Sequence, residues 1–260
     1  MDVSLAHGKT ASPGAAGTVQ YTKRKIAAVW AAAALPMAAL AWVVAPLVAR
    51  LLDGPAAKMQ ALIVCITLGL VWQFVLVLLL VHRERGSLRW AVLKDALWLQ
   101  SPRSPRTGRV GGRLWLVLIP CLAIFVAEEF INVFPPVAGH NLPAFMESDI
   151  AADMFSGSWG WFAVVVALVL FNTVLGEELL FRGLLLPRMQ GAFGRADWAA
   201  NGVLFATYHL HMPWVIPVVL LDAFALAYPS RRYRSALIGI AVHSAQSIVI
   251  LGVTLALVLG

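Results

Sequence analysis

The chain has 260 residues, of which 60% are hydrophobic and 13% charged, with a formal net charge of +7. Soluble domains are about 45–50% apolar and about 25% charged, so a mean hydropathy of +0.81 leaves too little polar surface for a water-soluble globule. That excludes a soluble enzyme, a nucleic-acid-binding domain and a disordered regulator, and the Lys and Arg residues sit in short runs between apolar stretches, as in an inner-membrane protein.

Residues 1–22 are rich in Ala, Gly, Ser and Thr, lack periodicity, and read as a disordered cytoplasmic tail. After Lys23, Arg24 and Lys25, an apolar run from Ile26 to Ala49 exceeds the ~7–15 residues of a signal-peptide core. It predicts a retained transmembrane helix bent at Pro36. Further spans are expected at Met59–His82, Leu114–Phe134, Trp159 to about Arg188, Trp198–His211, Trp214–Tyr228 and Ser235–Leu259. Each is near or a little under the ~20 residues that cross ~30 Å of hydrocarbon. The expected fold is all-α, a polytopic membrane bundle of about seven helices. It divides into a tail (1–22), three spans with an amphipathic cytoplasmic loop (23–158) and four spans that carry the chemistry (159–260). Cys65 and Cys121 fall in apolar segments near opposite faces of the bilayer and read as unpaired core residues.

Loop charge orients the chain. Arg83, Arg85, Arg89, Lys94, Arg103, Arg106, Arg109 and Arg113 separate the second and third spans, and Arg231, Arg232 and Arg234 separate the sixth and seventh. These loops and the N-terminus should be cytoplasmic. The loop 135–158 carries Glu147, Asp149 and Asp153 without Lys or Arg and should lie outside, as should the C-terminus. Ser87–Gln100 has apolar residues at helical spacing beside Arg89, Trp90 and Lys94, as expected of a segment lying along the headgroups.

Ionisable residues inside a span cost ~2.5–3.5 kcal/mol on insertion scales and are functional candidates by default. They are Glu128, Glu129, Glu177, Glu178, Arg182, His209, His211, Asp222 and His243. On a helix, Glu178 and Arg182 share a face with the acid first, and a guanidinium can hold a carboxylate with two hydrogen bonds. Glu177 turns about 100° away. One glutamate is thus neutralised and one left free to act as a general base on water; the alternative is a structural ion network of all three. Asn201, Phe205 and His209 share a second helical face, from which His211 points away if the helix continues. His243 and Ser247 share a third, and packing contacts would explain either face as well. Glu128-Glu129 is followed by Val133 where a pairing Arg would be needed, and reads as structural or as lining a water-filled path. Asp222 reads as a polar anchor.

A bundle core can bring one carboxylate and two histidines together from three helices. Two chemistries fit. Glu177, His209 and His243 could hold Zn²⁺ that activates water, or Glu177 could activate water directly while the histidines stabilise the oxyanion. Both hydrolyse, most naturally a peptide bond. By rise per residue, His243 lies about 12 Å and His209 about 17 Å from the cytoplasmic end. Glu177 meets them only if the fourth span continues to about Arg188, and we expect that it does.

These residues resemble the CPBP intramembrane proteases, a family that includes the CAAX prenyl endopeptidases, the bacteriocin-processing and immunity proteins and the Abi proteins. The resemblance rests on Glu177-Glu178-x-x-x-Arg182, Phe205-x-x-x-His209 and His243-x-x-x-Ser247, with Phe181-Arg182-Gly183-Leu184-Leu185 and the turn from Tyr228 to Arg234 as supporting flanks. It covers roughly residues 160–250. It implies Glu177 as the general base, Glu178 and Arg182 as a supporting pair, and His209 and His243 as groups that orient water or stabilise the oxyanion. The family is described both as metal-dependent and as glutamic-type. Its usual final Asn is here Ser247, a shorter donor.

The chain has no His-Glu-x-x-His zinc motif, only one clearly intramembrane Asp (Asp222), and its Ser156–Gly160 stretch lies at a loop edge. An intramembrane endopeptidase acting on a membrane-associated protein or peptide within the lipid bilayer is therefore the leading reading. A catalytically idle membrane partner or immunity protein is the alternative that Ser247 favours. A small proton-coupled transporter is the third, disfavoured by the lack of repeated halves.

Overall fold

Proline positions and backbone hydrogen bonding shape the helices more than apolar length does. The computed structural model describes residues 18–128, 130–131 and 133–260. Among them there is no strand, only an isolated bridge between Arg103 and Val110, so the all-α expectation is met. Four single helices are long and apolar enough to cross a membrane: α1 (Lys23–Ala49), α2 (Ala57–Arg85), α5 (Trp159–Arg188) and α9 (Ala236–Leu259). Between α2 and α5 lie α3 (Trp90–Ala96) and α4 (Leu118–Glu128). Between α5 and α9 lie α6 (Asp197–Tyr208), α7 (Pro213–Val219) and α8 (Ala223–Tyr233). The last two form a pair bent by 50° that can count as a fifth span.

By length and composition alone, four single helices among the described residues qualify as spans, or five with that pair, where about seven were expected. The third expected span winds as a 3-10 turn over Gly112–Val117, as suits a chain whose Pro120 has no N–H for the Leu116 carbonyl, and continues as α4 to Glu128. The fifth stops after 12 residues at Tyr208, about 18 Å of helix, where the chain turns ahead of Pro213. α5 runs unbroken to Arg188 as expected.

Pro36 perturbs α1 without ending it, and a π-helical stretch follows at Leu40–Val44. The carbonyl of Ala32, deprived of its partner by Pro36, accepts the Trp72 indole N–H of α2 at 2.8 Å. Trp30 and Trp42 of α1 likewise donate to the carbonyls of Leu204 and Leu210, at 2.9 and 2.8 Å. Three indoles from the first two helices thus satisfy backbone groups that lipid cannot. One hydrophobic core runs from Tyr21 to Val242, and Cys65 and Cys121 are buried and unpaired within it.

The two ends of the bundle differ in charge. The Tyr21 N–H donates to the Arg188 carbonyl and the Arg103 N–H to the Tyr233 carbonyl, which gathers the start of α1, the ends of α2, α5 and α8, and the Arg-rich loop. At the other end the Gly157 N–H donates to the Val258 carbonyl, beside the acidic loop with its short helices Leu142–Met146 and Asp149–Phe155. Of the tail expected to be disordered, residues 1–17 lie outside the described residues, while Gln20 and Tyr21 dock on the chain around Pro187 and Arg188.

Arg188 closes the basic end. Its Nε and Nη2 meet Glu84 at 2.9 and 2.8 Å, and its Nη1 donates to the carbonyls of Ala96 and Leu184. The Tyr21 hydroxyl also donates to Glu84. Burial, aided by that carboxylate, pushes the Tyr21 phenol above its ordinary pKa and keeps it a donor. Removing Arg188 strands a buried carboxylate, a loss of ~3–5 kcal/mol. Thermal melts in detergent should show Arg188→Ala far less stable than wild type. Arg188→Lys should recover only part, because an ammonium cannot reach two carbonyls and a carboxylate together.

Candidate active site

The glutamate pair sits where α5 departs from α-helical winding. π-helical stretches at Phe171–Gly176 and Leu179–Leu185 flank Glu177 and Glu178, and such wide turns frequently mark functional sites. Gly176 permits the geometry: a Cβ there would lie 2.5 Å from the Phe171 carbonyl oxygen and 3.1 Å from that of Leu70 on α2. Both glutamates and Arg182 are buried.

Glu178 and Arg182 form the expected ion pair, with Arg182 Nη1 at 3.1 Å from Glu178 Oε1. The expected two-pronged contact is replaced by sharing: the same oxygen also meets His243 Nδ1 at 3.2 Å. The other oxygen faces Gly239 of α9, where a Cβ would lie 2.2 Å away. The Arg182 guanidinium stacks 4.0 Å above the Phe205 ring. That ring stands edge-on to His209 and His243, at 5.0 and 6.2 Å between centroids. Phe205 is therefore the common wall between the arginine and both histidines.

Glu177 faces elsewhere. It lies within electrostatic reach of Tyr208 and His243. The Tyr208 hydroxyl in turn accepts a hydrogen bond from Gln73 Nε2 of α2 at 2.6 Å. Having accepted from Gln73, the phenol keeps one proton to give on the side of Glu177.

His209 follows the last residue of α6, with Nδ1 at 2.9 Å from the Phe205 carbonyl. That acceptor puts the ring proton on Nδ1 and leaves the Nε2 lone pair free in the neutral form. His211 does not point away: because the helix ends at Tyr208, its ring stacks on His209 at 5.5 Å. Ser247 contacts Thr173 of α5 at 2.8 Å, and Thr173 donates to the Val169 carbonyl at 3.0 Å. The serine proton is thus the one shared between the two hydroxyls. Asn201 donates to the Phe181 carbonyl inside the π-helical stretch at 2.9 Å, a structural duty.

Asp222 is buried within electrostatic reach of His243, and Glu128 is buried at the end of α4. Glu129 lies outside the described residues. No group of three His, Cys, Asp or Glu side chains among the described residues could hold a metal ion.

Sequence reasoning missed Tyr208, Gln73, Thr173 and Gly239. Gln73 carried a usable signal, an amide deep inside an apolar span, which a search confined to ionisable groups passes over.

The family model described as type II CAAX prenyl endopeptidase Rce1-like matches residues 159–249. No curated protein and no solved structure matches the chain.

Gly239→Ala should force Glu178 away from α9 and loosen both of its contacts. Overpacking of this kind costs about 1–3 kcal/mol, so the variant should melt below wild type in detergent. Gly252→Ala, on the same helix with open space beside it, should melt with wild type.

Proposed function

We propose that this multi-pass membrane protein, whose residues 159–249 form a type II CAAX prenyl endopeptidase Rce1-like domain, is an intramembrane endopeptidase that uses Glu177 to activate water. The domain is consistent with the CPBP family of intramembrane proteases. The observation that carries the reading is the division of labour between adjacent glutamates. Glu178 is committed to Arg182 and His243, whereas Glu177 makes no salt bridge to any described residue and lies beside Tyr208, which Gln73 fixes.

The water oxygen attacks the scissile carbonyl carbon while Glu177 takes a water proton. Tyr208, itself fixed by Gln73, holds the carboxylate in one orientation. His209 accepts the second water hydrogen at Nε2, which its Nδ1 contact with Phe205 leaves free. His243, anchored at Nδ1 by Glu178, presents Nε2 to the developing oxyanion and donates to it in the imidazolium form. As the tetrahedral intermediate collapses, the carbon–nitrogen bond breaks and Glu177 returns its proton to the leaving amine. Arg182 balances Glu178 and does not touch substrate. The substrate class is a peptide or protein segment held in the bilayer, such as a propeptide, a leader or a terminal sorting segment. The basic end faces the cytoplasm by the distribution of Lys and Arg, with the N-terminus inside and the C-terminus outside.

A second reading is favoured by Ser247. Its hydroxyl is engaged with Thr173, which suits a binding or immunity protein that keeps the fold without the reaction.

Membrane-proteome terminomics on a chromosomal Glu177→Gln strain at matched protein level separates the two. Loss of specific new termini supports the protease and identifies its substrate. An unchanged set of termini with an unchanged phenotype rules out the glutamate mechanism and favours the binding protein. With a cleavable substrate in hand, Tyr208→Phe should lower kcat by up to ~10²-fold through misorientation of the base, with KM little changed. A rise in KM at constant kcat would count against the positioning role.

A further inference from the structure

We propose that the basic end of the bundle carries a binding site for a phosphate-bearing anion, walled by Trp98 and Arg234. A cavity of about 200 Å³ lies there between the N-terminal segment, the turn after α3 and the turn after α8. Thr18, Gln20, Gln190, Asp197 and Arg231 complete its polar lining.

The backbone singles this cavity out. Trp98 follows α3 and Arg234 follows α8, each in the left-handed conformation, with φ of 51° and 49°. They are the only two non-glycine residues with positive φ among those described. Glycine is the default at such a helix end because a Cβ is strained there. The same chain obeys that rule where α2 ends, at Gly86 with φ of 66°. At two helix ends, then, the chain carries a large side chain where glycine would sit more comfortably, and both line one cavity. Backbone strain retained in this way points to a role for the side chains themselves.

Helix-end electrostatics do not supply that role, because Arg231 and Arg232 already place cations in the last turn of α8. Nor does an internal ion pair. Arg231 is committed to Asp197, which cancels that charge, while Arg234 is exposed and makes no salt bridge to any described residue. The cavity is left with one uncompensated guanidinium, whose planar fork of donors matches phosphate oxygens, beside an indole.

The position suits the ligand. The Trp98 carbonyl accepts the Ala236 N–H at 2.9 Å, and the Ser235 hydroxyl donates to the Gln100 carbonyl, so the turns that carry Trp98 and Arg234 are tied together. α3 exposes Trp90, an interfacial residue type, which sets the cavity at headgroup level. Basic pockets between membrane helices on this side of a bilayer take anionic lipid headgroups; a free phosphate offers the same chemistry. The site is apart from the glutamates: Leu186 in its wall lies eight residues beyond Glu178, about 12 Å along α5.

The test uses the full chain in a neutral detergent, with thermal melts recorded against dihexanoyl-phosphatidylglycerol, dihexanoyl-phosphatidylcholine and inorganic phosphate. Wild type should be stabilised by phosphatidylglycerol more than by phosphatidylcholine. A matching response to inorganic phosphate assigns the site to a free anion as well, and its absence assigns it to the lipid. Arg234→Gly suits the local backbone, so it should melt at or above wild type without ligand while its apparent affinity for the anion falls by about tenfold or more. Should that variant fail to fold, Arg234→Gln carries the same expectation for affinity. The proposal is overturned if the Arg234 variant responds like wild type, or if phosphatidylcholine stabilises wild type as well as phosphatidylglycerol and inorganic phosphate has no effect.

Discussion

A carboxylate withdrawn from water organises this structure. Burying an ion costs several kcal/mol, and the cost is offset only where geometry and additional contacts are good. Glu178 meets that condition by sharing one oxygen between Arg182 and His243. The requirement spreads outward. α9 must come close enough for His243 to reach, which demands Gly239 where a Cβ would strike the carboxylate. Arg182 needs a surface for the rest of its guanidinium, and Phe205 supplies it from α6. Three helices are thereby held around one anion, and the neighbouring Glu177 stays outside the pair.

The second constraint is that apolar surroundings leave no backbone group to water. Much of the packing between the first two helices and the rest answers it. Trp72 serves the carbonyl that Pro36 cannot, Trp30 and Trp42 serve carbonyls in and after α6, and Asn201 serves one in the π-helical stretch of α5. These bonds also place α2 against the site, which is how Gln73 comes to support Tyr208. Helices outside the 159–249 segment thus contribute to the candidate site through hydrogen bonds that began as backbone satisfaction.

The candidate site was legible where its residues lie one helical turn apart. Glu178 with Arg182 and Phe205 with His209 follow from a spacing of four and are in contact here. Legibility failed where a helix stopped. His211 was expected to point away because a continuing helix was assumed, and the end of α6 at Tyr208 turns it onto His209. Helix length was less legible. Hydropathy registers apolar length but not the turn ahead of Pro213, so the fifth apolar run holds a helix of only 12 residues.

By itself the sequence determined the class of the protein, an all-α membrane bundle, the segregation of basic from acidic loops, and which ionisable residues lie within its apolar segments. Each depends on composition or on spacing within one helix, and neither needs knowledge of neighbours. The tertiary structure alone decided which oxygen of Glu178 is shared, that Tyr208 and Gln73 stand behind Glu177, that Ser247 is tied to Thr173, and that Trp98 and Arg234 meet at one cavity. Those contacts join residues tens to more than a hundred positions apart. Close packing and the need to satisfy every buried polar group select them, and no periodicity along the chain encodes that selection.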